Sequence, residues 1–279
     1  MLDKPEGPTS HDVVDMVRRA LGVRRVGHAG TLDPFASGLL LVLVGRATRL
    51  SRFLVGLPKS YTGAITLGVE TDTDDHTGAV LREDDSWRSL GDEALAAAME
   101  QLTGRLQQLP PAYSAKQSGG QRAHRLARRG QQLELAPQEI EVSRFEMAAR
   151  DGSRLRFAAD VSSGTYVRAL ARDLGRALGC GAHLHELRRT AVGPFRVEDA
   201  ARLETLDDEA PALKPPLDAV PHLPSRELDE EQRVRAAHGQ PLERCDQPGD
   251  FVALVAGGEL VAVAEPSGDM LKPRVVLEG

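Results

Sequence analysis

The stretch Val26-Gly27-His28-Ala29-Gly30-Thr31-Leu32-Asp33-Pro34-Phe35-Ala36-Ser37-Gly38, followed by the apolar run at residues 39–44, constrains the fold more than any other part of the chain. Its glycines, Gly27, Gly30 and Gly38, imply a backbone that turns sharply or is closely approached. Pro34 pushes Asp33 out of the helical region, so the carboxylate sits on an extended or turning segment. The run behind it is short and partly β-branched, which predicts a buried strand. A single carboxylate is thereby presented on a shaped loop beside a rigid core element, an arrangement that suits catalysis. Taken alone, the same residues also read as a simple Asp-Pro turn.

A chain of 279 residues admits one large domain or a domain with a small module. Its 41% hydrophobic content supports a real core, and 27% charged residues imply a soluble surface. The longest apolar run, residues 39–44, is far too short to span a bilayer. The N-terminus has no apolar signal region, and Cys180 and Cys245 cannot make a disulfide framework, so a cytoplasmic protein is expected. A net charge of −6 argues against a nucleic-acid partner, but the charge is segregated. Residues 116–130 hold Lys116, Arg122, Arg125, Arg128 and Arg129 with no acid among them. Arg18, Arg19, Arg24, Arg25, Arg46, Arg49 and Arg52 flank the opening stretch. Such footprints can bind phosphates within an acidic total, or can be plain solvated faces.

Thr9 and Asp12 fit a capping box, and the helical spacing of Val13, Val14, Met16, Val17, Ala20 and Leu21 predicts a helix that Gly22 ends. Residues 59–68 read as a strand with Tyr61, Ile65 and Leu67 on one face, where an aromatic is commonly core. Thr71-Asp72-Thr73-Asp74-Asp75-His76-Thr77-Gly78 fails as a calcium loop because Thr77 stands where a sharp glycine turn is required; it reads as a loop ordered by Asx-turns. Ala94, Leu95, Ala98, Met99 and Leu102 predict an amphipathic helix ended by Gly104. Residues 161–175 read as a strand end entering a helix, with Val167, Leu170, Ala171, Leu174 and Leu178 as its buried stripe. Arg168 falls in the first turn, where the helix dipole disfavours a cation, which points to a partner carboxylate or phosphate, or else to a solvated side chain. Cys180, His183 and His185 lack a second ligand pair at zinc spacing. Residues 198–225 are acidic and proline-rich, like a linker. Beyond them lie a short helix at residues 230–238, a hairpin around Gly257-Gly258 and a closing strand at residues 273–277.

Gly-His-Ala-Gly-Thr-Leu-Asp-Pro with its small residue, glycine and apolar run resembles the signature of the TruB family, pseudouridine synthases acting on the T-arm of tRNA. Further motifs agree in order: Lys4-Pro-x-Gly-x-Thr-Ser-His at the N-terminus, the Tyr61 strand, the acidic string after it, Pro110-Pro111-Ala112-Tyr113-Ser114-Ala115-Lys116, and Leu187-Arg188-Arg189. Gln117 and His124 depart from the family, where lysine and tyrosine are usual. The C-terminal strands resemble a degenerate PUA domain, a small RNA-binding barrel; a structural β-appendage is the alternative.

The resemblance implies an α+β fold, a mixed and largely antiparallel sheet with packed helices, plus a small C-terminal β-barrel. It implies a catalytic domain at residues 1–200, a linker at 201–225 and a PUA-like RNA-binding domain at 226–279. The implied activity is isomerisation of the uridine at position 55 in the tRNA T-loop. Asp33 would be the catalytic carboxylate, Tyr61 the active-site tyrosine stacking on the base, and Arg168 the arginine beside the aspartate. Tyr166 and Leu187 would wall the uracil pocket, and His28 would contact the disrupted loop. Lys116, Arg122, Arg125, Arg128 and Arg129 would hold RNA phosphates. No cofactor or metal is expected, nor a membrane or obligatory protein partner, and the implied state is a monomer. A non-catalytic RNA-binding module and a glycoside hydrolase using Asp33 with Asp75 are the rivals.

Overall fold

The computed structural model describes residues 1–111, 117–118, 121–122, 136–206, 212–244 and 249–277. The chain divides into two compact units: Met1–Asp33, Leu39–Gly56 and Gly193–Gly279 form the first, and Pro34–Gly38 with Leu57–Val192 the second. Among the described residues no helix is long and apolar enough to cross a membrane.

The second unit is built on the strand Lys59–Leu67. Tyr61, Ile65 and Leu67 are buried along it, as the two-residue period predicts. It pairs antiparallel with Arg154–Val161 on one side and with Ala182–Val192 on the other. Gln138–Asp151 and Gly104–Gln108 extend the first side, again antiparallel. Ala182–Val192 continues the other side by a parallel pairing to the strand Ser37–Leu40, with Arg188 opposite Ser37 and Arg189 opposite Gly38. Gly38 has φ +102°, and a Cβ there would lie 2.3 Å from the Arg189 carbonyl oxygen, so only glycine admits this approach. The helix Val167–Leu178 buries Val167, Leu170, Ala171 and Leu174 and ends on Gly179. The helix Asp92–Gln101 buries Leu95, Ala98 and Met99. It stops short of Gly104, which opens the next strand instead of capping the helix.

In the first unit the capping box forms as its sequence predicts: the Thr9 side chain accepts the Asp12 N–H, and the helix Ser10–Leu21 ends on Gly22 at φ 64°. Its buried Val13, Val14 and Val17 pack with Leu2, Val26, Leu40, Leu203 and Leu206. The strand Leu2–Lys4 pairs parallel with Ala201–Arg202. The apolar run after Gly38 is not one strand. Leu41 separates Ser37–Leu40 from Val42–Val44, because the second piece pairs antiparallel with Val26–His28. The Leu41 carbonyl turns to accept the Ala29 N–H at 2.9 Å. Toward the C-terminus, a five-stranded sheet runs in the order Ser225–Glu227, Val252–Ala256, Glu259–Ser267, Met270–Val276, Leu242–Glu243. The hairpin turn has both glycines at positive φ, Gly257 at 56° and Gly258 at 82°, which matches the twist of its strands. The helix Glu230–Ala237 starts at an Asp229–Gln232 capping box.

Candidate active site

Asp33 ends an extended segment, and Pro34-Phe35 turn the chain into the strand Ser37–Leu40. One hydroxyl fixes the residue before it. Ser10 Oγ accepts the Leu32 N–H at 2.8 Å and donates to the Leu32 carbonyl at 3.1 Å. Ser10 is buried in the first turn of its helix, so that helix holds the backbone from which the carboxylate projects. Asp33 itself is half-buried. The N-terminal motif is tied down by Lys4, whose Nζ donates to the carbonyls of Pro5 and Pro8, both at 2.8 Å. His28 lies half-buried on the strand Val26–His28, opposite Val42.

Tyr61, Tyr166, Arg168 and Leu187 belong to the second unit. Tyr61 stands opposite Arg189, and Leu187 opposite Gly63, with no register shift between those pairs. Residues directly opposite in a sheet share a face, so Tyr61 and Leu187 are on the same face as diagonal neighbours. Both are buried. Tyr166 is the N-cap of the helix Val167–Leu178 and has no side-chain cap. Its backbone is instead held by the carboxamide of Gln108, whose Oε1 accepts the Tyr166 N–H at 2.9 Å while Nε2 donates to the Tyr166 carbonyl at 3.1 Å.

Arg168 has the carboxylate partner that its position called for, and that partner is Asp75. Nη1 donates to Asp75 Oδ2 at 3.2 Å and to the Thr73 carbonyl at 3.0 Å. The other carboxylate oxygen accepts from Thr73 Oγ1 at 2.8 Å, the Thr77 N–H at 3.0 Å and Thr77 Oγ1 at 2.5 Å. One turn further along the helix, Arg172 Nη1 meets Asp74 Oδ2 at 3.0 Å, and its Nη2 donates to the Leu109 carbonyl at 2.8 Å. Burial raises the Asp74 carboxyl above its ordinary range, against the pull of Arg172 and Arg168. The acidic string is therefore an Asx-ordered loop clamped by two arginines. Asp75 is spent on Arg168, which removes the second carboxylate that a glycosidase reading needs.

The phosphate-gripping candidates Lys116, Arg125, Arg128 and Arg129 lie outside the described residues. Arg122 is in the short strand Gln121–Arg122, paired with Gln117–Ser118. Gln108 escapes a sequence reading as part of the site, whereas Asp75 lies in the acidic string and Ser10 in the N-terminal motif. The broken dipole rule at Arg168 announces that a partner exists without naming it. No comparable signal marks Gln108, and the motif that holds Ser10 does not name the Leu32 backbone as its partner.

The chain has relatives among known proteins. Residues 18–167 match the family model described as TruB family pseudouridylate synthase (N terminal domain). Residues 168–219 match the tRNA pseudouridylate synthase B C-terminal domain, and residues 223–278 match tRNA Pseudouridine synthase II, C terminal. The tRNA pseudouridine synthase B of Nocardia farcinica is 44% identical over 99% of this chain and 92% of its own length. That of Rhodococcus jostii is 46% identical over 96% of this chain and 90% of its own. Among solved structures, the chain is similar to one in an H/ACA RNP bound to a substrate RNA containing 2′-deoxyuridine. The TM-score is 0.76 at 27% identity, covering 100% of this chain and 84% of that one. A chain of the archaeal box H/ACA sRNP Nop10-Cbf5 complex gives a TM-score of 0.74 at 28% identity, covering 99% and 84%.

Proposed function

The chain belongs to the TruB family of pseudouridylate synthases, and from that membership we propose that it isomerises the uridine at position 55 in the T-loop of tRNA to pseudouridine. The observation that carries this reading is identity of 44% over 99% of the chain with a tRNA pseudouridine synthase B. The family's N-terminal and C-terminal models also fall on this one chain, and the enzyme is read as a monomer without an obligatory protein partner. A cytoplasmic place follows from its tRNA substrate.

The reaction breaks the C1′–N1 bond, rotates the detached uracil and joins C5 to C1′. The C5 proton leaves and N1 gains one, so the change is an isomerisation without redox chemistry or phosphate activation. A carboxylate suffices as nucleophile or base, and Asp33 is the group read in that role. Tyr61 stacks on the base and assists removal of the C5 proton. The target is stacked in the folded loop and must flip out to be reached. Tyr166 and Leu187 wall the pocket, so the free uracil is kept from water while it turns. Arg168 orders the loop of Asp74 and Asp75 and holds a positive charge there. His28 contacts the opened T-loop, and the basic segment, Lys116, Arg122, Arg125, Arg128 and Arg129, neutralises phosphates.

The deciding experiment incubates an in-vitro tRNA transcript with the protein, with no cofactor or metal added, and digests it to nucleosides. One pseudouridine per tRNA, mapped to the T-loop, is the expected result. Free uracil in its place would mean a hydrolase. Unaltered uridine from a protein that binds the tRNA would mean a binding module.

A further inference from the structure

The helix Val167–Leu178 begins without the side chain that ordinarily caps a helix N-terminus. Its N-cap, Tyr166, is nonetheless fixed at both backbone polar groups by one residue from a distant strand. A carboxamide offers an acceptor and a donor in the same relation as a neighbouring peptide. Gln108 uses it that way, with bonds of 2.9 Å and 3.1 Å. Gln108 is only 3% exposed, so water offers no ready substitute for either bond. The grip is doubled by the next residue, whose carbonyl accepts from Arg172 on the same helix at 2.8 Å. Gln108 is itself held in the sheet opposite Gln138. The strand end Gln108-Leu109 therefore sets where the helix starts, and the helix start carries Tyr166 and Arg168.

We propose that Gln108 is a positioning residue of the reaction: its carboxamide holds the Tyr166 peptide, and through it the wall of the uracil pocket, in the register that turnover requires. This rests on the reading of Tyr166 as a pocket wall. Gln108 does not touch substrate. Its removal is expected to spare the tRNA grip and to slow the step in which the detached base must stay oriented. A misplacement of about 1 Å at a reacting group can cost on the order of 100-fold.

The test compares Gln108→Ala and Gln108→Glu with the parent protein, using single-turnover pseudouridine formation at saturating tRNA, and tRNA affinity by filter binding. For Gln108→Ala the saturated rate should fall by about tenfold to 100-fold, with affinity nearly unchanged. Glutamate separates positioning from bulk. Ionised, it accepts the Tyr166 N–H but presents a second acceptor to the Tyr166 carbonyl. Protonated, it restores an acceptor and a donor in the shape of glutamine. The deficit of Gln108→Glu should therefore shrink as pH falls, while that of Gln108→Ala stays constant with pH. Deficits that run parallel at every pH, a saturated rate within twofold of the parent in about neutral buffer, or a loss seen only in affinity, would each overturn the proposal. Hydrogen exchange of the Tyr166 amide reads the clamp without reference to any reaction: protection must drop in Gln108→Ala, which removes the acceptor. If the parent makes no pseudouridine, the functional reading fails, and unchanged exchange alone would then sink the clamp.

Discussion

Lys59 carries its charge where the sheet leaves it little water, and it is the residue whose titration the structure perturbs most plainly. Burial, reinforced by the nearby Arg189 cation, pushes its ammonium down to about 8 from 10.5. Between those pH values the unfolded chain holds more protons than the folded one, so stability rises with pH there. Below about 8 both states are charged and the folded state bears the full cost. Lys59→Met removes the charge and, with it, the hydrogen bond from Nζ to the Leu57 carbonyl at 2.6 Å. The variant should thus be the more stable protein near neutral pH. Its advantage over the parent should shrink by about 1.4 kcal/mol per pH unit across that interval in urea unfolding. A gap that does not change with pH would show that Lys59 titrates normally. Asp33 carries the corresponding claim for chemistry. Asp33→Asn keeps the shape of the loop that Ser10 pins, yet cannot act as an anionic nucleophile or base. Tritium release from C5 should fall by roughly 10⁴-fold or more, with tRNA affinity little changed. Turnover within tenfold of the parent by a folded, undeamidated Asp33→Asn protein would remove Asp33 from the mechanism. The type and loop setting of Asp33 were legible because Pro34 and the glycines act locally on the backbone. The hydroxyl that fixes Leu32 was not, because Ser10 precedes it by more than twenty residues.

Elements whose ends are set by neighbouring residues could be read from the chain, and elements set by distant partners could not. The helices Ser10–Leu21 and Glu230–Ala237 begin at capping boxes three residues across, and the hairpin turns on two adjacent glycines. The apolar run after Gly38 looks continuous in sequence. It divides at Leu41 because its halves answer to different strands. The acidic loop lies between these cases. Its Asx-turns are local and were expected, whereas the arginines that clamp it come from a helix more than ninety residues further on. Arg168 and Asp75 leave only 7% and 5% of their side chains exposed. Breaking such a pair from one side leaves a buried charge behind and costs about 3–5 kcal/mol. Asp75→Asn retains the acceptor for the Thr77 N–H but takes the carboxylate charge away from the Arg168 cation. It should lower unfolding free energy by an amount in that range, read from urea titration monitored by circular dichroism. A loss under about 1 kcal/mol would mean that desolvation already cancels the attraction between the two.

At the scale of the molecule, the chain enters the first compact unit three times, and its C-terminal sheet is completed by residues from far upstream. Leu50 and Phe53 share a core with Val220, Ala253, Val255, Leu260, Val263, Val275 and Leu277. The Phe53 and Phe251 rings meet edge to face at 4.9 Å, and the Arg52 guanidinium lies near both, 5.6 Å and 5.9 Å from their centroids. Arg46 Nη1 donates to the Leu277 carbonyl at 3.1 Å, and Arg49 Nη1 to the Val276 carbonyl at 2.6 Å. These arginines read in sequence as a phosphate footprint, since nothing local reveals that a strand more than 200 residues away presents carbonyls to them. Dividing the chain along its length, with an RNA-binding module from residue 226, puts Leu50 and Phe53 on the other side of the cut. Removing everything after Pro224 would leave those side chains Val220 alone among the buried members of this cluster, with the partly buried Ala47, Leu217, Ala219 and Leu223 beside it. Each large apolar side chain brought back to water costs about 1.5–3 kcal/mol. The truncated chain, residues 1–224, should accordingly melt well below the full chain or precipitate. Adding Leu50→Gln and Phe53→Gln to it should recover solubility, because the newly exposed patch is then polar. Pseudouridine formation by the soluble truncated variant then isolates what the C-terminal sheet gives to RNA binding: a raised KM with the saturated single-turnover rate kept. If unmodified 1–224 is soluble and melts with the full chain, the shared core contributes nothing to stability and the sheet is a separable appendage.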